Sequence, residues 1–228
     1  PLGMVQVEVE DFLGRCDQRG LLVQVNYWRR AAVGLRNLAN GGIQEMSGNP
    51  QAIFITYGNG LFNNGSHMVD LVRMLFGEVA DAQATLSAIP VPDAPIAGDV
   101  NVPFVLQLRN GATVYGAPID YRQYRELGLD IWGDKGRVTL YQESLIAHHY
   151  PLKSNRGLDH EHEIASDDGR QFDCPVSTAL FDMYDNLADA VTNGAELWSS
   201  GSSAFKSENI LHALLESAVT GNVVSLEC

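Results

Sequence analysis

The sequence predicts an α+β fold: an open, mainly antiparallel sheet with helices on one face, preceded by a single helix–strand unit. Three observations predict it. Apolar residues recur at helical spacing near both ends and in one central stretch, "SHMVDLVRMLF". From Glu78 to Leu152 the chain reads as short alternating or clustered apolar runs divided by turn signals. Helix followed by strand, the mark of a parallel doubly wound sheet, occurs only once, near the start.

Taken in order, "VEVEDFLGRCDQRG" is a helix with Val9, Phe12, Leu13 and Cys16 on one face and Gly20 as its stop. "LLVQVNYWRR" follows as a short β-rich run. "AVGLRNLANGG" resembles a short helix closed by Gly41 and Gly42, and "IQEMSGNPQAIFITYGNG" gives an irregular segment and a strand. In the central helix Met68, Leu71, Val72, Leu75 and Phe76 share a face, and Gly77 sits where a C-terminal glycine belongs. The strands that follow are joined by an Asn-Gly hairpin at Asn110–Gly111 and a second turn at "GDKG". "TALFDMYDNLADAVTNG" and "SENILHALLESAVTGN" are the closing helices, and "VVSLE" is a brief final strand.

The 228 residues suffice for a substantial core. The net charge of -13, with only Lys135, Lys153 and Lys206 as lysines, makes nucleic acid and anionic lipid poor partners. No apolar run reaches the length of a membrane span. Cys16, Cys174 and Cys228 are odd in number and widely spaced, which points to free thiols in a reducing cytoplasm. The opening "PLGM" resembles a tag-cleavage scar, so residues 1–4 are set apart as a remnant.

The candidate site residues begin with His67, in "GLFNNGSHMVDLVRMLFGEV". Asn63 or Asn64 could cap the helix, leaving His67 an ordinary first-turn residue. Alternatively His67 takes a proton from a ligand hydroxyl, with Asn63 reaching the same spot. Arg29 and Arg30 are either a solvated strand end or a guanidinium fork for an anionic or polyhydroxyl ligand. Tyr121, Arg122, Tyr124 and Arg125 form a second polar-aromatic cluster, expected on a strand and suited to a carbohydrate or to an interface. His148, His149, His160 and His162 lack the spacing of a helical zinc motif, so no metal is expected and metal-dependent hydrolysis stands last. No G-x-G-x-x-G follows a strand; the nearest cluster, "GNGLFN", lacks the third glycine.

Tyr27-Trp28-Arg29-Arg30, "NNGSHMVDLVRMLFGEV", "LDIWGDKGRVTL" and "LLESAVTGNVVSL", in that order, resemble the Gfo/Idh/MocA oxidoreductases from Asp11 to Leu226. The resemblance is to the second half of that family. A full member opens with a Rossmann domain that carries the glycine fingerprint and a catalytic lysine in a Lys-Pro dipeptide. Residues 5–30 then correspond to the last Rossmann helix and strand, and 31–228 to a substrate-binding and oligomerisation domain. The resemblance implies NAD or NADP in the full-length parent, none held tightly by this chain, and a sugar, inositol or nucleotide sugar as substrate. It implies a homodimer or tetramer formed through the sheet. His67 matches the histidine at the reacting hydroxyl, Arg29 a position near substrate or nicotinamide, and Asp70 a structural aspartate. Asn63 stands where many members have the aspartate of a D-x-G-x-H pattern, and an amide cannot take a proton. Trp28 stands where asparagine is common. The resemblance therefore leaves open a non-catalytic binding or assembly module derived from the same family.

Overall fold

A computed structural model describes residues 2–154, 157 and 161–226. It begins with helix α1 (Gln6–Asp17), of which only Val9 is buried while Phe12 is 43% exposed. Residues 21–27 are extended but form no ladder. Their pairing is one antiparallel bridge, Gln24 to Ser200, with Val25 N–H donating to Ser199 O at 2.9 Å. Trp28–Arg30 then close into a 3-10 turn, so the two arginines leave a turn where a strand end was expected.

Helix α2 (Val33–Asn37) is not closed by Gly41 and Gly42. The chain passes through a π turn at Leu38–Gly42, kinked where Gly41 adopts φ +114°, and continues as α3 (Ile43–Met46). Glycine alone takes that φ without strain, which is why the pair permits a kink rather than a stop.

Next come β1 (Pro50–Tyr57), α4 (Ser66–Phe76), β2 (Val79–Ala84), a minor hairpin of β3 (Ile89–Pro90) and β4 (Val100–Asn101), then β5 (Phe104–Leu108) and β6 (Thr113–Pro118). They are followed by β7 (Gly128–Gly133), β8 (Gly136–Tyr141), β9 (Ile146–Ser154), β10 (His162–Ile164), β11 (Arg170–Gln171), α5 (Ala179–Asn193), α6 (Gly201–Thr220) and β12 (Val224–Ser225). The main sheet runs β10-β9-β8-β7-β1-β6-β5-β2-β12, with β11 also on β9. β1 and β6 pair in parallel, which the sequence does not single out; the other ladders are antiparallel, so the sheet is mainly antiparallel as the sequence predicts.

Strand alternation sets the core. Ile53, Ile55, Leu106, Val114, Leu129, Ile131, Val138 and Leu140 point inward and are at most 1% exposed. Met68, Leu71, Val72, Ile210, Leu211 and Leu214 of α4 and α6 meet them in one cluster. Each such side chain contributes about 1.5–3 kcal/mol on burial. The opposite face shows Phe54, Tyr115 and Trp132, the first two stacked at 5.2 Å. Arg137 lies over Trp132 at 4.4 Å and is held to Asp130 by two hydrogen bonds of 2.8 and 2.7 Å. Among the described residues no helix is long and apolar enough to cross a membrane. Leu2 packs on Val25, Tyr27 and Ala204, and the Leu2 and Gly3 N–H groups point at Glu208, so residues 2 and 3 lie on the core and not loose in solvent.

Candidate functional site

The segment 58–65 carries His67 into place, and its geometry depends on an aspartate far along the chain. Asp99, 2% exposed, accepts from the N–H groups of Phe62 (3.1 Å), Asn63 (3.0 Å) and Val100 (2.8 Å). Asn101 accepts from Gly60 N–H at 3.0 Å. Gly60 has φ +108°, and a Cβ there would stand 2.0 Å from Asp99 Oδ2, so both its backbone and its bareness are required. Asn63 and Asn64 do not cap the helix as expected. Their amides donate to Asn59 O and Gly58 O, each at 3.1 Å, and tie the loop to itself.

His67 opens α4 with its ring edge-on to Tyr27, centroids 5.3 Å apart. Its Nδ1 is buried and has no hydrogen-bond partner. Burial, aided by the nearby Arg29 charge, pulls the imidazole pKa down to about 3, so the ring is neutral at physiological pH. An unfolded histidine titrates near 6.5. Between that pH and about 3 the unfolded chain therefore binds a proton that the folded one refuses. The contribution is complete above pH 6.5 and is lost as pH falls. His67→Gln is expected to flatten the decline of stability from pH 6.5 to about 5, above the carboxylate range. Denaturant midpoints across that interval would measure it, and an unchanged slope would refute the buried-neutral assignment.

Arg29 is 3% exposed, lies 4.3 Å over the Trp28 ring and reaches Glu143 at 3.4 Å. Burial lowers its pKa to about 10 against the pull of Glu143. Arg30 does not join it as a fork: its Nε donates to Asp70 at 2.8 Å, inside the protein. Asp70 is 1% exposed, which gives it a structural place.

The Tyr121–Arg125 cluster lies in the loop between β6 and β7 and not on a strand. The last backbone bond to β1 is Ile119 N–H to Tyr57 O at 2.7 Å, after which Tyr121 donates its hydroxyl to Glu126 O at 2.7 Å. Burial pushes that phenol up to about 12, and Arg125, Glu143 and Arg29 all act on it, so Tyr121 adjoins the Arg29 group. Arg122 is paired with Asp120 at 2.7 Å and lines a neighbouring cavity of about 580 Å³ with Asn59, Tyr121 and Arg125. Tyr124 is 65% exposed and lines neither that cavity nor the one beside Glu143. Arg29 thus lies within electrostatic reach of both His67 and Tyr121, and Asn63 is in the loop that leads to His67.

Two members escaped sequence reasoning. Tyr27 stands in the motif that carries the family resemblance, but nothing in the sequence marks it as a neighbour of His67. Glu143, which bridges Arg29 and Arg125, lies 114 positions from Arg29. Among the histidines, His149 is bonded to Met46 O at 2.9 Å, His148 stacks on Tyr150, and His160 lies outside the described residues. Among the described residues no group of three His, Cys, Asp or Glu could hold a metal. Cys16 and Cys174 are free thiols; Cys228 is outside the described residues.

A mixed sheet backed by helices defines an α+β domain, and within it a buried neutral histidine lies near a buried arginine. The model of the oxidoreductase family's C-terminal alpha/beta domain, that of the Gfo/Idh/MocA proteins, matches residues 56–226, and the chain belongs to that family. No curated protein matches it significantly. Among solved structures it is similar to an oxidoreductase from Agrobacterium radiobacter in complex with NAD+, L-tartaric acid and magnesium, at 17% identity and TM-score 0.74, over 99% of this chain and 71% of that one. It is similar to the WlbA dehydrogenase from Bordetella pertussis in complex with NADH and UDP-GlcNAcA, at 18% identity and TM-score 0.70, over 98% and 69%. It is also similar to a super-repressor mutant of Gal80p from Saccharomyces cerevisiae, at 12% identity and TM-score 0.71, over 96% and 69%. At such identities the likeness establishes a shared fold, α1 and the 21–27 run included.

Proposed function

We propose that the chain is the substrate-binding and oligomerisation domain of an NAD- or NADP-dependent oxidoreductase acting on a sugar, inositol or nucleotide sugar. The observation that carries this reading is His67: a neutral imidazole with an unpartnered buried Nδ1, 5.3 Å from Tyr27 and next to Arg29. A buried polar atom without a partner is costly, and a ligand hydroxyl would satisfy it. The oxidoreductase and the dehydrogenase similar in fold, bound to NAD+ and tartaric acid and to NADH and UDP-GlcNAcA, support the same class.

The residues present do not fit a dinucleotide. The glycine loop at 58–65 is the nearest approach to a phosphate cradle, yet its N–H groups are spent on Asp99, whose charge would repel a diphosphate. This chain's residues bind and orient: His67 accepts a hydrogen bond from a hydroxyl, Arg29 supplies positive charge behind it, and Tyr121 bounds the site. The exposed Phe54, Tyr115 and Trp132 favour assembly through the outer sheet face.

A second reading rests on Asn63. Its amide stands where a proton acceptor is expected and is bonded to Asn59 O, which suits a binding or assembly module without chemistry. The fold likeness to a super-repressor mutant of Gal80p is compatible with this reading, since one fold hosts many functions.

Titration with NADH and NADPH, followed by the fluorescence of Trp28, Trp132 and Trp198, is expected to show no saturable binding. Calorimetry with myo-inositol, D-glucose and UDP-N-acetylglucosamine is expected to find a ligand for the chain. His67→Ala should weaken that ligand about tenfold or more. Binding that survives His67→Ala unchanged overturns the site reading. Saturable binding of NADH or NADPH in the micromolar range would make the chain an enzyme by itself.

A further inference from the structure

The turn between β8 and β9 holds Gln142, Glu143 and Ser144 at φ +49°, +61° and +74°, three consecutive non-glycine residues in the left-handed region. Each costs about 1–2 kcal/mol relative to ordinary backbone. The turn is clasped in that shape: Gln142 N–H donates to Glu126 Oε1 at 2.7 Å, Glu143 N–H to Leu127 O at 3.2 Å, and Ser144 is 4% exposed. A plain hairpin would join the strands without this strain. What the strained turn achieves is the placement of one carboxylate between two guanidiniums.

Glu143 Oε2 meets Arg29 NH2 at 3.4 Å, and Glu143 Oε1 meets Arg125 NH2. For Arg29 this is a poor partner. A guanidinium that is 3% exposed calls for a close, two-pronged carboxylate, yet it has one long contact and a buried Nε with none. Glu143, by contrast, is 34% exposed and can swing into solvent. A cavity of about 480 Å³ adjoins it, with Trp28, Leu127, Leu145 and Val176 as its apolar lining and Arg125, Glu126, Gln142, Glu143 and Ser177 as its polar lining. Glu126 is held there by Gln142 N–H, and Arg29 reaches the cavity only through Glu143. That volume lies within the small-molecule range. Its apolar wall, with an indole, suits the C–H face of a sugar ring.

Building on the sugar-domain reading, we propose that this cavity takes a sugar acid whose carboxylate replaces Glu143 between Arg29 and Arg125. Glu143 is then an internal competitor that only an incoming carboxylate displaces from the two arginines. The exchange is charge-neutral: one carboxylate leaves the pair of arginines for water as another arrives.

The test is calorimetry with sodium D-glucuronate and with D-glucose on the wild-type chain, Glu143→Gln and Arg125→Ala. Glucuronate is expected to bind Glu143→Gln about tenfold more tightly than wild type and Arg125→Ala at least tenfold more weakly, with glucose indifferent to both changes. Arg125 is exposed, so its variant keeps the fold even if the strained turn does not tolerate glutamine. Equal or weaker binding of glucuronate by Glu143→Gln, or its unchanged binding by Arg125→Ala, overturns the proposal. If glucose or myo-inositol still binds in a His67-dependent way under that outcome, the sugar-domain reading stands and only the carboxylate exchange falls. If no neutral sugar responds to His67 while glucuronate follows the Glu143 and Arg125 pattern, the exchange stands and the His67 reading falls.

Discussion

Asp70→Ala is expected to destabilise the fold by about 3–5 kcal/mol, the cost of stripping one partner from a buried ionic cluster. Asp70 accepts from Arg30 Nε at 2.8 Å and Ser207 Oγ at 2.9 Å, and Arg73 NH1 stands 3.7 Å away. Arg73, with a side chain 3% exposed, is also held by Ser203 O, Ser207 Oγ and both oxygens of Glu78. Its pairing with Glu78 pulls that carboxyl below its usual range. Removing Asp70 leaves Arg30 and the α4–α6 interface with uncompensated positive charge. Asp70→Asn keeps the shape and one acceptor and is expected to fall between. Urea denaturation checks both. A loss below about 1 kcal/mol for Asp70→Ala would place the cluster in the class of solvated surface pairs.

Asp99→Ala is expected to cost about 3 kcal/mol and to disturb the site as well as the fold. Its carboxylate satisfies three backbone N–H groups, and bonds to a charged acceptor are worth roughly 1.5–3 kcal/mol each before water compensates. With the carboxylate gone, Phe62 and Asn63 N–H groups are orphaned at the head of α4, and the loop that fixes His67 loosens. Amide exchange of Phe62 and Asn63 should accelerate in Asp99→Ala while that of Leu129 and Ile131 keeps step with global stability alone. If the two sets accelerate equally, the loop is not a separately held unit. Gly60→Ala approaches the same contact from the other side, by pushing a methyl group at the Asp99 carboxylate.

Much of the fold was legible because its signals are local. The α4 stripe from Met68 to Phe76, the Asn110–Gly111 hairpin and the alternation of β5 to β8 follow from spacing alone. What failed was long-range. The 21–27 run has strand composition, but its pairing is one bridge to Ser200, and no local rule distinguishes a strand from an extended run with so little to pair with. Asn63 and Asn64 have the chemistry of caps, yet an aspartate 36 positions beyond Asn63 takes the role because the β3–β4 hairpin brings it there. At the site, His67 and Arg29 could be nominated from side-chain chemistry and resemblance. Glu143 could not, since its importance lies in a left-handed turn and a partner far upstream.

Helix α6 supplies the far partner in several long-range contacts: Ser207 for Asp70 and Arg73, Ser217 Oγ for Ala84 N–H, and Glu208 for the Leu2 amide. On the ribosome, where chains grow at about 5–20 residues per second, α4 and the inner side of β2 emerge well over a hundred residues before that helix. For those seconds the nascent chain carries a bare ionic cluster and an uncovered apolar surface. Its survival depends on what shields them, and chaperone occupancy on stalled chains should drop sharply once Thr220 has cleared the exit tunnel.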